Sequence, residues 1–153
     1  MLKRNHGIDI ALELGGIATG EAAGNLFSER LAPAQLERLR KIANEDALLK
    51  IANAIAMCTP DDVFINTGSA EDKNFIRELA LRKGEEQPLP MPDHTIHFDL
   101  KEEQGRIIDR TYYIANEEER ISSLAKRISR NEALKSVKAH LAGLMKGMTM
   151  IVG

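Results

Sequence analysis

The sequence predicts an α/β fold, a short mixed sheet flanked by helices, on three observations. Apolar residues recur at steps of three or four between Leu36 and Ile55. Three short β-favouring runs, at 63–66, 110–114 and 148–152, are separated from one another along the chain. Helical patterns fill the intervals, and strands that alternate with helices bury their apolar faces most simply as a sheet covered by helices.

Each element has a local reason. Pro33 suits a first helical turn, and Leu36, Leu39, Ala43, Ala47, Ile51 and Ile55 continue one face, which predicts a long amphipathic helix over 33–57. Thr59-Pro60-Asp61-Asp62 ends it, because Pro60 lacks a backbone donor and aspartates favour turns; the apolar run at 63–66 then reads as a buried strand. Thr67-Gly68-Ser69 turns into a second helix, with Ser69 as its cap and Glu71 and Asp72 complementing the positive helix start. Its expected buried stripe is Phe75, Ile76, Leu79 and Ala80, and Gly84 is its expected stop. The proline-rich stretch at 87–92 is a loop that leads into the segment 94–99.

The run at 110–114 is the second strand. Asn116 and Glu119 have capping-box spacing for a helical segment whose face would include Ile121, Leu124 and Ile128. A further helix near 131–145 carries Leu134, Val137, Leu141 and Leu144 on one side, and 148–152 forms a third strand. Residues 1–32 are set apart as a Gly/Ala-rich extension of uncertain order and weak helical tendency, because Gly15, Gly16, Gly20 and Gly24 dilute it. The α/β domain proper is expected over 33–153.

Composition narrows the class. At 153 residues, with 43% hydrophobic residues, 29% charged residues and a net charge of −2, the chain can bury a core and has no basic surplus to attract nucleic acid or an acidic membrane. Lys3 and Arg4 precede an apolar stretch, but Asp9 and Glu13 interrupt it, which argues against a signal peptide or a membrane span. The single cysteine, Cys58, suits a reducing compartment, and cytoplasm is the expected location.

Three constellations could carry chemistry. His94, His97 and Asp99 are metal-ligand types close in sequence, yet on a strand the two histidines would face opposite ways and spacing supplies no further ligand. Locally hydrogen-bonded surface histidines are the competing reading. Gly68-Ser69 opens a helix, where free N–H groups attract anions, but Glu71 and Asp72 would repel a phosphate, so capping is favoured. No Walker-type loop or dinucleotide fingerprint is present. Arg106, after Gly105 and just before a strand, could hold a carboxylate through two parallel hydrogen bonds, and Arg110 lies four residues on at the strand's start; a solvated or salt-bridged surface role competes for both. Tyr112 and Tyr113 read as core and edge residues rather than acids, and Cys58 has no nearby base to activate it.

Three motifs, taken together, carry a family resemblance. Met145-Lys146-Gly147-Met148-Thr149-Met150-Ile151-Val152-Gly153 is similar to the Met-Lys-Gly strand entry of the GTP-dependent phosphoenolpyruvate carboxykinase family. Arg106-Ile107-Ile108-Asp109-Arg110-Thr111-Tyr112-Tyr113-Ile114 resembles its arginine-led strand, and the segment from Cys58 to Glu71 resembles its Pro-Asp turn, strand and Gly-Ser-acidic helix start. The resemblance covers about 58–153 and implies the amino-terminal domain of a larger enzyme, incomplete at its C-terminal end.

That family decarboxylates oxaloacetate and phosphorylates the enolate from GTP, with a protein-bound Mn2+ and a second divalent ion such as Mg2+ on the nucleotide. Within this sequence the resemblance assigns only Arg106, as a substrate-carboxylate contact. It assigns no catalytic residue, no nucleotide contact and no metal ligand, and His94, His97 and Cys58 match none of the family's functional positions. The expectation is an inactive chain of this length, with oxaloacetate and phosphoenolpyruvate as the small-molecule partners and an apolar terminal strand whose edge invites self-association. Two other readings stand beside it: a stand-alone α/β binding domain without catalysis, and a small metalloprotein built on His94, His97 and Asp99.

Overall fold

The computed structural model describes residues 10–99, 107 and 111–153. In chain order the elements are α1 (Ile10–Gly15), α2 (Gly20–Arg30), α3 (Pro33–Leu39), α4 (Glu45–Cys58), β1 (Asp62–Ile65), α5 (Ala70–Lys83), β2 (Gln87–Pro88), β3 (Thr95–Ile96), β4 (Tyr112–Ile114), β5 (Lys126–Ile128), α6 (Arg130–Leu141) and β6 (Thr149–Val152). Helices and strands are mixed as expected. The predicted strands do not share one sheet, however: β1 pairs with β6 in parallel, β2 with β3 antiparallel, and β4 with β5 in parallel.

The core lies between the first four helices and the β1–β6 pair. Ala23, Phe27 and Leu31 join Leu39, Ala52, Ile55, Cys58, Val63, Ile65 and Met150 in one buried cluster. Burying side chains such as Phe27, Leu39 and Ile55 contributes roughly 1.5–3 kcal/mol each before entropy is charged against it. The glycine-rich stretch expected to be weakly helical therefore forms helices that supply the centre of the core. Thr19 starts α2 by accepting the Ala22 N–H at 3.2 Å, Leu31 ends it with its N–H on the Phe27 carbonyl, and Arg30 in the last turn donates to the Pro60 carbonyl at 2.6 Å.

One of those glycines is required by contact. A Cβ at Gly15 would lie 2.3 Å from Asn53 Oδ1, so only glycine lets α1 approach α4 this closely. Asn53, buried inside an otherwise apolar helix face, satisfies itself there: Oδ1 accepts the Ile17 N–H at 2.8 Å, and Nδ2 donates to the Ile17 carbonyl at 2.9 Å and the Leu49 carbonyl at 2.8 Å.

The single helix expected over 33–57 is two helices. It breaks after Leu39, and Asn44 caps the second part by accepting the Ala47 N–H at 3.1 Å. The physical reason is that an asparagine side chain competes for backbone donors, while the bend brings Leu36, Leu39, Ile42 and Leu48 around α2. At the other end Thr59 takes the left-handed conformation, φ 47°, ψ 56°, an unusual place for a β-branched residue, and its N–H closes α4 on the Ile55 carbonyl at 2.9 Å.

The helical segment expected after Asn116 is also corrected. Half of its capping box exists, since Glu119 Oε2 accepts the Asn116 N–H at 2.6 Å, but only one turn follows. Arg127 donates to the Asn116 and Glu119 carbonyls, and Lys126–Ile128 is drawn into register with Tyr112–Ile114 as β5. Leu124, expected on a buried helical face, is 94% exposed. Tyr112 and Tyr113 are about half exposed, so the core position expected for them is not found. The stripe expected on α5 is half-buried, and Asp72 is that helix's one buried residue.

Candidate functional site

The candidate substrate contact, Arg106, and its neighbour Arg110 lie outside the described residues. What is described is the frame around them. The Ile107 carbonyl accepts a hydrogen bond from Thr111 Oγ1 at 2.8 Å, and Tyr112–Ile114 pairs with Lys126–Ile128.

The best-built polar arrangement stands at the carboxyl end of β1. There the strand leaves the sheet through Asn66, Thr67 and Gly68, whose φ of 80° a side chain would resist, and Ser69 caps α5 by accepting the Asp72 N–H at 3.1 Å. Asp72 is 2% exposed and accepts three hydrogen bonds, two from Thr67 and one from Arg38. Its Oδ2 accepts the Thr67 hydroxyl at 2.6 Å and the Thr67 N–H at 2.8 Å, and its Oδ1 accepts Arg38 Nη1 at 2.8 Å.

Those contacts, the Thr67 hydroxyl and amide foremost and Arg38 after them, outweigh burial and lower the Asp72 carboxyl to about 2. Arg38 comes from α3, also donates to the Ile65 carbonyl at 2.9 Å, and lies 5.2 Å from the centre of the Phe64 ring. Gln35, one turn earlier on α3, accepts the Ile65 N–H at 2.8 Å. A carboxylate so fully engaged is not a base; it holds the loop after β1 in place. The helix start is thus occupied by its own cap and an internal anion, as the capping reading expected.

The histidines are bound locally. His94 Nδ1 lies 2.8 Å from the Pro92 carbonyl, His97 Nδ1 2.7 Å from the Glu85 carbonyl, and His97 Nε2 3.2 Å from Asp99. Both ring nitrogens of His97 are thereby directed at protein oxygens. Among the described residues no group of three His, Cys, Asp or Glu is placed to hold a metal ion, so the described residues do not fit the metal that the family resemblance implies. Cys58 is buried in the core, and that burial pushes its thiol up, away from the reactive thiolate. Among the described residues, no helix is long and apolar enough to cross a membrane.

Three features are not legible in the sequence. The sequence places Asp72 at the helix dipole, and its third helical position after Ser69 is the signal that puts it within reach of the turn. Arg38 and Gln35, on the polar side of a predicted helix, carried no signal that they would reach a strand edge. A cleft of about 360 Å³ between α2, α3 and the start of α4 was likewise unforeseen; Phe27, Leu36, Leu39 and Leu48 line it, with Arg40 and Glu45 also in its wall.

The fold is a mixed α/β domain in which the loop built on Thr67, Ser69 and Asp72 leaves the carboxyl end of a parallel strand. Residues 50–153 match the phosphoenolpyruvate carboxykinase N-terminal domain, and the chain belongs to that family. It is 35% identical over 130 residues to the phosphoenolpyruvate carboxykinase [GTP] of Saccharolobus solfataricus, an alignment covering 84% of this chain and 20% of that protein. Similar figures hold for the enzymes of that name from Thermococcus sibiricus, 34% over 82% of the chain, and Pyrococcus abyssi, 33% over 77%. The chain spans about a fifth (20%) of the length of the curated relatives it matches.

Proposed function

We propose that this chain is the amino-terminal, substrate-side part of a GTP-dependent phosphoenolpyruvate carboxykinase. The whole enzyme would convert oxaloacetate and GTP to phosphoenolpyruvate, GDP and carbon dioxide in the cytoplasm, as a step of gluconeogenesis, with Mn2+ and a nucleotide-bound Mg2+ held by residues outside this chain. The observation that supports this reading is the domain match over 50–153 together with relatives that carry the GTP-dependent name.

Within the chain, Arg106 is the proposed contact to a substrate carboxylate. A guanidinium offers two parallel donors that fix the carboxylate's plane, which orients the adjacent carbon–carbon bond for cleavage. This is positioning rather than proton transfer. The chain alone is proposed to be inactive, because the family resemblance assigns none of its residues to the metal and nucleotide sites.

The test has two arms. Purified 1–153 with Mn2+, GTP and oxaloacetate should form no GDP above the protein-free rate; sustained oxaloacetate-dependent GDP formation would refute the inactivity. In a hybrid carrying 1–153 in place of the matched segment of the Saccharolobus solfataricus enzyme, Arg106→Ala should raise the KM for oxaloacetate on the order of 10- to 100-fold, the scale of a lost charge-assisted contact. Unchanged KM and turnover would remove Arg106 from the site.

A further inference from the structure

The cleft between α2, α3 and the start of α4 has an apolar floor and two opposite charges at its rim. Phe27 and Leu39 are buried beneath it, and Leu36 and Leu48 are half-buried in its wall. Its volume of about 360 Å³ lies at the lower end of the roughly 300–1,000 Å³ usual for small-molecule pockets.

The α2 wall is thin where Gly20 and Gly24 stand. A Cβ at Gly24 would meet no atom within 4 Å, so that part of the wall borders open space. A Cβ at Gly20 would lie 3.2 Å from Glu45 Oε1, which sets the Glu45 carboxylate against the amino end of α2.

Arg40 and Glu45 are exposed and stand on either side of the bend between α3 and α4. Arg40 Nη1 donates to Glu37, an exposed i,i+3 pair that competes only weakly for the guanidinium. Among the described residues, Nη2 and Nε of Arg40 have no partner, and the Glu45 carboxylate has neither an ion pair nor a hydrogen bond.

A purely apolar molecule in this cleft would leave both rim charges unused. A simple acid would set its charge beside Glu45, and a simple amine beside Arg40. We propose that the cleft binds a free α-amino acid with a large apolar side chain. The side chain rests on Phe27, Leu36, Leu39 and Leu48, the carboxylate on Arg40 and the ammonium on Glu45. All the lining residues fall within 20–48, ahead of the domain match at 50–153, so the proposal does not depend on the carboxykinase reading.

Calorimetric titration of the 153-residue chain with L-phenylalanine tests it, beside two analogues that each lack one charge: 3-phenylpropanoate, without the ammonium, and 2-phenylethylamine, without the carboxylate. L-phenylalanine should bind with a Kd of about 1 mM or tighter, and each analogue at least about tenfold more weakly. Arg40→Gln should weaken L-phenylalanine about tenfold and leave 2-phenylethylamine unchanged, whereas Glu45→Gln should weaken it similarly and leave 3-phenylpropanoate unchanged. Both side chains are exposed and outside the core, so the fold tolerates either change. Gly24→Leu, whose added side chain enters the open space and favours the helix, should abolish binding of all three.

No binding of L-phenylalanine at about 10 mM overturns the proposal. An analogue that binds as tightly as the amino acid also overturns it, by making the cleft a site for a simple acid or amine. Unchanged affinity in either charge variant removes the rim from the site, and binding that survives Gly24→Leu puts the ligand elsewhere; each sinks the proposal.

Discussion

Asp72 shows how a residue can be legible in type and illegible in role. Its place in the first turn of α5 follows from Ser69, but its burial depends on Arg38 and Thr67 arriving from either side. Because its carboxyl lies at about 2 against an ordinary 3.8, the charged form is favoured by folding; that contribution is complete above about pH 4 and is lost as pH falls toward 2. Asp72→Asn should therefore be less stable than the parent at pH 7, with the gap narrowing below pH 4 and nearly closed by pH 2. Urea unfolding across that range measures it, and a gap of equal size at pH 7 and pH 2.5 would show that the ionised form has no special place in the fold. Asn53 and Gly15 make a second such case, since an apolar helix face predicts neither a buried amide nor a partner helix close enough to demand glycine.

Among the elements, the best-read ones are those whose ends carry their own chemistry. Ser69 and Gly84 bound α5 where expected, and α6 begins on a complete capping box in which Ser129 accepts the Glu132 N–H and Glu132 accepts the Ser129 N–H. Removing that cap by Ser129→Ala should cost about 1 kcal/mol of stability. The Glu132 carboxyl, lowered chiefly by the Ser129 hydroxyl, should then rise toward its ordinary value in a carbon-detected titration. An unchanged Glu132 titration would mean that the box does not persist in solution. Capping spacing alone did not suffice at Asn116, where the same signal produced one turn and the chain after it paired as β5. What differed was the competition: Ile128 could align with Ile114, and Arg127 satisfied the carbonyls that a helix would have used.

At the scale of the molecule, the amino-terminal helices and the β1–β6 pair share one core, so they should unfold together. Phe27→Ala, made in the stretch that composition marked as an uncertain extension, should cost roughly 3–5 kcal/mol and weaken protection of β1 as well as of α2. Near-UV circular dichroism and native-state hydrogen exchange would report it; loss of protection confined to α2 would show that those helices are an appendage. Family membership belongs to this scale too, because it rests on motifs from Cys58 to Gly153 in a fixed order rather than on any one of them, and the match over 50–153 agrees with that order.

By itself the sequence determined the alternation of helices and strands, both ends of α5, the turns at Pro60 and Gly68, and the family. Each of these depends on chemistry within a few residues, a cap, a missing donor or a glycine, or on the order of such pieces along the chain. Only the tertiary structure decided that the first and last strands are partners, that the stretch 33–57 breaks into two helices, that residues 126–128 join a strand, and that α3 closes one edge of the sheet. Those outcomes depend on which surfaces meet across long stretches of chain, where burial and backbone pairing outweigh local preference.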